Sequence, residues 1–254
     1  MKRLLFAAVL SFGLGFTLSG QAAADSLTAE QKQEIEALIG DYLKENPDVV
    51  IDAIRAYRER EERADQERAR QSLASLRQAL DDDPLAPTGG NPDGDVTIVE
   101  FFDYRCGFCK RVFPTVQAVL DADPNVRKVY KEFPILGPDS VVASRAASAV
   151  WFSQPDLYPA FHQALMTARG QLTEDKIMAI ASEVGLDAGK LGEAMKDERI
   201  EKVLAANRAM AEQLNITGTP AFVIGNQIIP GALDEASLKE AIARERARLA
   251  EERG

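Results

Sequence analysis

The chain has 254 residues, with 40 acidic and 30 basic side chains, one histidine and two cysteines. A hydrophobic share of 46% is enough to bury a core, which excludes wholesale disorder. The formal charge of −10 argues against a nucleic-acid binder, the lone histidine excludes His-rich metal sites, and two cysteines are too few for a disulfide framework or an unaided four-ligand zinc site.

Residues 1–24 read as an export signal. Lys2 and Arg3 precede the uncharged, mostly apolar run from Leu4 to Leu18, and Ala22-Ala23-Ala24 supplies small residues for cleavage before Asp25. The apolar run is shorter than the ~20 residues of a spanning helix. Removal of Lys2 and Arg3 takes the formal charge from −10 to −12. Export predicts a periplasmic protein, in a compartment where disulfides form and persist.

Residues 25–83 read as a helical arm. Ser26 or Thr28 can cap its start, and Ile35, Leu38, Ile39, Tyr42 and Leu43 share one face. Asn46-Pro47 interrupts, and Pro47 can open the next helix. Val50, Ile51, Ile54 and Tyr57 make a second stripe, Arg58 to Arg70 is almost entirely charged, and Leu73, Leu76 and Leu80 end the segment. So thin a region must bury its stripes elsewhere, either against further copies of itself or against its own globular domain. From Asp81 to Gly94 come three prolines, three glycines and four aspartates. Residues 84–94 are therefore expected as a linker, with a second domain over 95–254.

That domain opens with Val96–Phe102, an apolar, β-branched and aromatic run that reads as a buried strand. A turn over Asp103-Tyr104-Arg105 leads to Cys106-Gly107-Phe108-Cys109 and a helix running to about Leu120. A C-x-x-C pair at a helix N-terminus after a strand is a redox arrangement. Unpaired N–H groups and the helix dipole stabilise an anion there, so Cys106 is expected as an exposed, low-pKa nucleophile and Cys109 as the buried resolving thiol. As a structural staple so small a loop would contribute only about 2 kcal/mol, against about 4.7 for a loop near 100 residues. Half of a zinc site would lack its other ligands.

Glu100 is a carboxylate inside an apolar strand, which is costly unless paired or protonated. A raised pKa would let it take the proton from Cys109 as that thiol attacks, and Lys131, in a strand expected over Val126–Phe133, is a candidate partner. Pro114 lies inside the helix and bends it. Ser140–Phe152, Leu157–Ala168, Thr173–Val184, Ala188–Met195 and Arg199–Leu214 show helical spacing. His162 reads as a packed or surface residue rather than a catalyst, and Trp151 and Phe152 as core of these helices. Ile216–Ile224, containing Thr219-Pro220, is a turn entering a strand, Gly225-Asn226 can turn a hairpin, and Asp234 to about Glu252 closes the chain as a helix.

With Glu100, Cys106-x-x-Cys109, Pro114 and Gly-Thr-Pro-Ala-Phe in this order, the chain resembles the DsbA-like branch of the thioredoxin superfamily. The resemblance implies an α/β thioredoxin-like fold with a helical insertion. It implies a cis peptide before Pro220, with Thr219 and Pro220 holding a partner's extended chain beside Cys106. Many members carry a histidine between the cysteines; Phe108 stands there in this chain, which implies a less strongly oxidising pair. Thr28 to Ile54 resembles the N-terminal region of ScsC-type suppressor-of-copper-sensitivity proteins, some of them trimeric disulfide isomerases. Self-association, as a trimer first, is the expectation from that likeness.

Taken together these readings predict a periplasmic thiol–disulfide oxidoreductase, working as isomerase or reductase on cysteine-containing exported proteins. No cofactor is expected beyond the redox-active Cys106–Cys109 pair, and no bound metal. A membrane partner, a DsbD/ScsB-like reductase or a DsbB-like oxidase, would set the direction. The alternatives are a DsbA-like oxidase and a Cu(I)-binding copper-tolerance protein, since two thiolates are soft ligands.

Overall fold

The computed structural model describes residues 27–253, so the expected export signal lies outside the described residues. Two compact units divide between Arg58 and Glu59. The first holds α1, Ala29–Glu45, and the start of α2, Pro47–Asp81. Thr28 caps α1 in a reciprocal capping box with Gln31. Asn46 ends α1, and Pro47 begins α2, as proline's missing N–H allows. No residue of α1 is buried, and Leu38, Ile39, Tyr42, Ile51, Ile54 and Tyr57 are exposed.

The second unit is built on a five-stranded sheet in the order β1-β3-β2-β4-β5. The strands are β1 Thr88–Gly90, β2 Val96–Phe102, β3 Val126–Glu132, β4 Ala221–Ile224 and β5 Gln227–Pro230. β2 and β3 run parallel, and the other pairs are antiparallel. Helix α3, Gly107–Ala122, makes the crossover from β2 to β3. Helices α4 Pro138–Ser153, α5 Tyr158–Thr167, α6 Glu174–Glu183, α7 Ala188–Ala194 and α8 Glu198–Gln213 form the insertion between β3 and β4. Gly225, at a φ of 54°, turns the β4–β5 hairpin in the left-handed region that glycine tolerates. Helix α9, Glu235–Arg253, closes the domain.

The strand period of two sorts β2 into two faces. Val99 and Phe101 face a core shared with Leu73 and Leu80 of α2 and with Met210 and Leu214 at the end of α8. Val96 and Ile98 face α3 and α9, packing on Val112, Val116 and Ile242. Phe102 joins the helical insertion through Tyr104, Phe161 and Leu165.

Two expectations change here. The arm was expected to run through residue 83, but Leu73 and Leu80 are buried in the core of the sheet domain, so the last turns of α2 are part of that domain. The stretch expected as a linker over 84–94 contains β1, which pairs with β3 through Thr88↔Val129. A three-residue strand among prolines and glycines carries no alternation that could reveal it.

Candidate functional site

Cys106 is the N-cap of α3. Its Sγ accepts a hydrogen bond from the Cys109 backbone N–H at 3.4 Å, while its thiol donates to the Thr219 carbonyl at 3.2 Å. The Thr219–Pro220 peptide is cis. The pKa of Cys106 is lowered from 9.0 to about 5, first by the hydrogen bond from the Cys109 thiol, then by one from the Thr219 side chain and by those from the backbone N–H groups of Cys109 and Phe108, against an opposing cost of burial. Cys109 is fully buried and its pKa is raised, by its bond to Cys106, by burial, and by the charges of Glu100 and Cys106. Both cysteines are free thiols. One sulfur is therefore a thiolate at neutral pH and the other remains a thiol until called on.

Cys106 was expected to be exposed, and only 6% of it is. The loop carrying Thr219 closes over it. Phe108, between the cysteines, is 56% exposed instead, with the Arg111 guanidinium 4.1 Å over its ring. A groove of about 690 Å³ runs along the cis-proline loop, walled by Phe108, Ile216, Thr219, Pro220 and Ile228.

Glu100 is buried, as expected, but its partner is Lys128 at 2.5 Å and not Lys131. The parallel register explains the correction. Ile98 pairs with Lys128 and Phe101 with Lys131, so Lys131 lies on the opposite face from Glu100. There it bonds Asp83 at 2.6 Å and the Ala79 carbonyl at 3.0 Å, tying β3 to the end of α2. The Glu100 charge raises the pKa of Lys128 against its burial, and Lys128 also lies 4.2 Å over the Tyr130 ring.

His162 is buried at the centre of Phe102, Tyr104, Phe113, Tyr130 and Tyr158, so its packing role stands. Its Nδ1 is 2.8 Å from the Tyr104 hydroxyl, and burial holds the ring neutral by pushing its pKa well down. Pro114 sits inside α3 as expected.

One organising residue escaped the sequence reading. Asp103 is buried at the end of β2, and its carboxylate accepts from the N–H groups of Arg105, Ile135 and Leu136 and from the Ser140 hydroxyl at 2.7–3.0 Å. Its carbonyl accepts from Cys106 N–H at 3.0 Å. It locks the turn that presents the nucleophile. An aspartate two residues before a bonded N–H is an ordinary turn signal, so only its long-range partners reveal it.

A strand-turn-helix carrying a low-pKa thiolate and a buried second thiol, facing a cis-proline loop, defines a thioredoxin-like dithiol site. The chain belongs to the DSBA-like thioredoxin domain family, whose match covers residues 97–243, and this is a family of thiol–disulfide oxidoreductases. Residues 31–64 match the copper resistance protein ScsC N-terminal domain.

A thioredoxin-like oxidoreductase from Silicibacter pomeroyi is 46% identical, over 67% of this chain and 98% of that one, with a TM-score of 0.65. Proteus mirabilis ScsC in a transitional conformation is 33% identical, over 87% of this chain and 100% of that one, also at 0.65. Disulfide bond formation protein D of Bacillus subtilis is 25% identical, over 63% of this chain and 76% of its own length. The chain also matches the Na(+)/H(+) antiporter NhaA 1 of Salinispora arenicola at 26% identity, spanning only 24% of that protein's length.

Proposed function

We propose that the chain is a periplasmic thiol–disulfide isomerase or reductase acting on cysteine-bearing exported proteins. The observation that carries this reading is the split between the two thiols: Cys106 ionised at neutral pH, Cys109 buried and protonated. The Cys106 thiolate attacks one sulfur of a partner disulfide, forms a mixed disulfide and expels the other partner sulfur as a thiolate. In isomerisation a different thiolate of the partner attacks its own sulfur in the mixed disulfide, forms a new disulfide within the partner and releases Cys106 as the thiolate. In reduction Cys109 loses its proton and attacks the Cys106 sulfur. The two electrons of the dithiol pass to the partner, and Cys106–Cys109 becomes the disulfide.

Glu100, behind Cys109 and charge-coupled to it, is assigned as the acceptor of that proton, with Lys128 holding the carboxylate in place. Thr219 and Pro220 hold the partner's backbone beside Cys106. No further cofactor enters the cycle; a membrane reductase would restore the dithiol.

Isomerase or reductase work is favoured over oxidation on two grounds. Phe108 gives the thiolate no side-chain donor where a histidine would. The arm carries exposed apolar residues on both helices, a surface suited to association with further copies, a trimer first. Reactivation of scrambled ribonuclease, compared with oxidation of reduced ribonuclease, tests the direction. Faster oxidation than reactivation overturns it, and full activity in Cys106→Ser overturns the dithiol mechanism altogether.

A second reading, Cu(I) handling, is favoured by two soft thiols in one turn of helix and by the likeness to a copper resistance protein N-terminal domain. Copper titration of reduced protein against Cys106→Ser separates the two.

A further inference from the structure

A second groove, of about 1030 Å³, is walled by α3, the end of α5 and the loop that follows it. Its apolar floor includes Phe113, Pro114, Ala118 and Met166. Arg105, Lys110, Arg111 and Arg169 line it, against a single carboxylate, Asp121. Lys176 adds a fifth cation at its edge, donating to the Arg169 carbonyl and lying close enough to lower the Lys110 pKa further than burial alone does.

Of the fifteen other Lys and Arg side chains from Arg77 to Arg253, eleven hold a carboxylate, the buried or half-buried Arg127, Lys128 and Lys131 among them. None of the five around this groove forms an ion pair among the described residues. Lys110 is held by the Leu165 and Ala168 carbonyls at 3.0 and 2.7 Å, and Arg105 by the Leu136 carbonyl. Their neighbours are neutral oxygens, which aim the cations without neutralising them. Crowding like charges is unfavourable in a chain with forty carboxylates to spare.

We propose that this groove docks an acidic segment of the partner protein whose cysteines Cys106 engages. The proposal rests on the oxidoreductase reading and adds partner chemistry to it. Arg105 and Lys110 flank the C-x-x-C pair in sequence, so a segment seated here is tethered beside the nucleophile. The site is a concave groove with an apolar floor, which suits an extended peptide and not the flat headgroup plane of a membrane. The opposite charge signs raise the encounter rate for acidic partners against the repulsion of the chain's net −10.

The test uses the full chain and fluorescent ten-residue peptides without cysteine, rich in Glu and Asp, neutral, or rich in Lys. Anisotropy should show the acidic peptide binding at least about tenfold tighter than either other, and about tenfold weaker at 500 mM than at 50 mM salt, as screening requires. R169E/K176E should weaken it at least about tenfold and R169Q partially, while exchange with oxidised glutathione stays at the wild-type rate. Equal binding of all three peptides, or unchanged affinity in R169E/K176E, overturns the proposal. Binding to vesicles of anionic phospholipid with none to the acidic peptide overturns it in favour of a membrane surface. Peptide binding without any glutathione exchange would sink the oxidoreductase reading and leave the acidic-segment site standing.

Discussion

The chemistry at Cys106 is a matter of donors. Four hydrogen bonds, two from side chains and two from the backbone, favour the thiolate of Cys106 at the start of a helix, whereas one backbone bond, at Asp103, favours that of Cys109. The alkylation rate of the reduced protein should therefore be flat from about pH 6 to 8 and fall about tenfold per pH unit below 5, as the thiolate is protonated. A rate still rising between pH 7 and 9 would contradict a pKa of about 5. The same shift has a stability sign. Folded Cys106 is ionised above about 5 whereas an unfolded thiol stays protonated to 9.0, so its contribution is full above 9.0 and is lost as pH falls through about 5.

The Glu100–Lys128 pair is a buried ion pair whose halves depend on each other. Glu100→Leu leaves Lys128 uncompensated and should destabilise by about 3–5 kcal/mol in urea unfolding. Adding Lys128→Met should recover most of that loss, and additive losses would refute the pairing. Glu100 was legible because a carboxylate stood out in an apolar strand. Its partner was not, because Lys128 and Lys131 are both lysines in one strand and only the β2–β3 register assigns their faces.

At the scale of elements, α2 does two things along one uninterrupted helix. Its early residues Val50, Ile51, Ile54 and Tyr57 are exposed, while Leu73 and Leu80 are buried in the sheet's core. Leu80→Ala should cost about 2–5 kcal/mol of the redox domain's stability by opening a cavity, whereas Ile54→Ala should leave its unfolding midpoint unchanged. Periodicity foretold helices at both places but not their separate duties, because an apolar stripe does not name what it packs against. The five insertion helices and α9 were legible to within a residue or two at most ends, their caps being local: Thr173, Asp187 and Asp197 each accept from a first-turn N–H.

For the whole molecule, the boundary between units falls at Arg58, well before the end of α2. Deleting residues 25–58 should leave a folded, redox-active protein that runs smaller than the full chain by more than its lost mass in light scattering. If the full chain also runs as a monomer, the self-association proposal fails. Deleting through residue 83 removes Leu73, Leu80 and the Asp83 partner of Lys131, and should unfold the domain at a lower denaturant concentration than the shorter deletion.

Two cysteines three residues apart at a helix start, a carboxylate in a buried strand, and a proline entering a later strand are local patterns. Local patterns follow from backbone and side-chain chemistry that the sequence states outright. It therefore determined the redox pair, the thioredoxin-like order of elements and the helical insertion. Tertiary structure alone decided what meets across the fold. It brought the Thr219 carbonyl onto Cys106 from 113 residues away, put Lys128 and not Lys131 beside Glu100, drew the end of α2 into the core, and gathered five cations around one groove. Each depends on register or long-range packing, in which residues distant in sequence become neighbours.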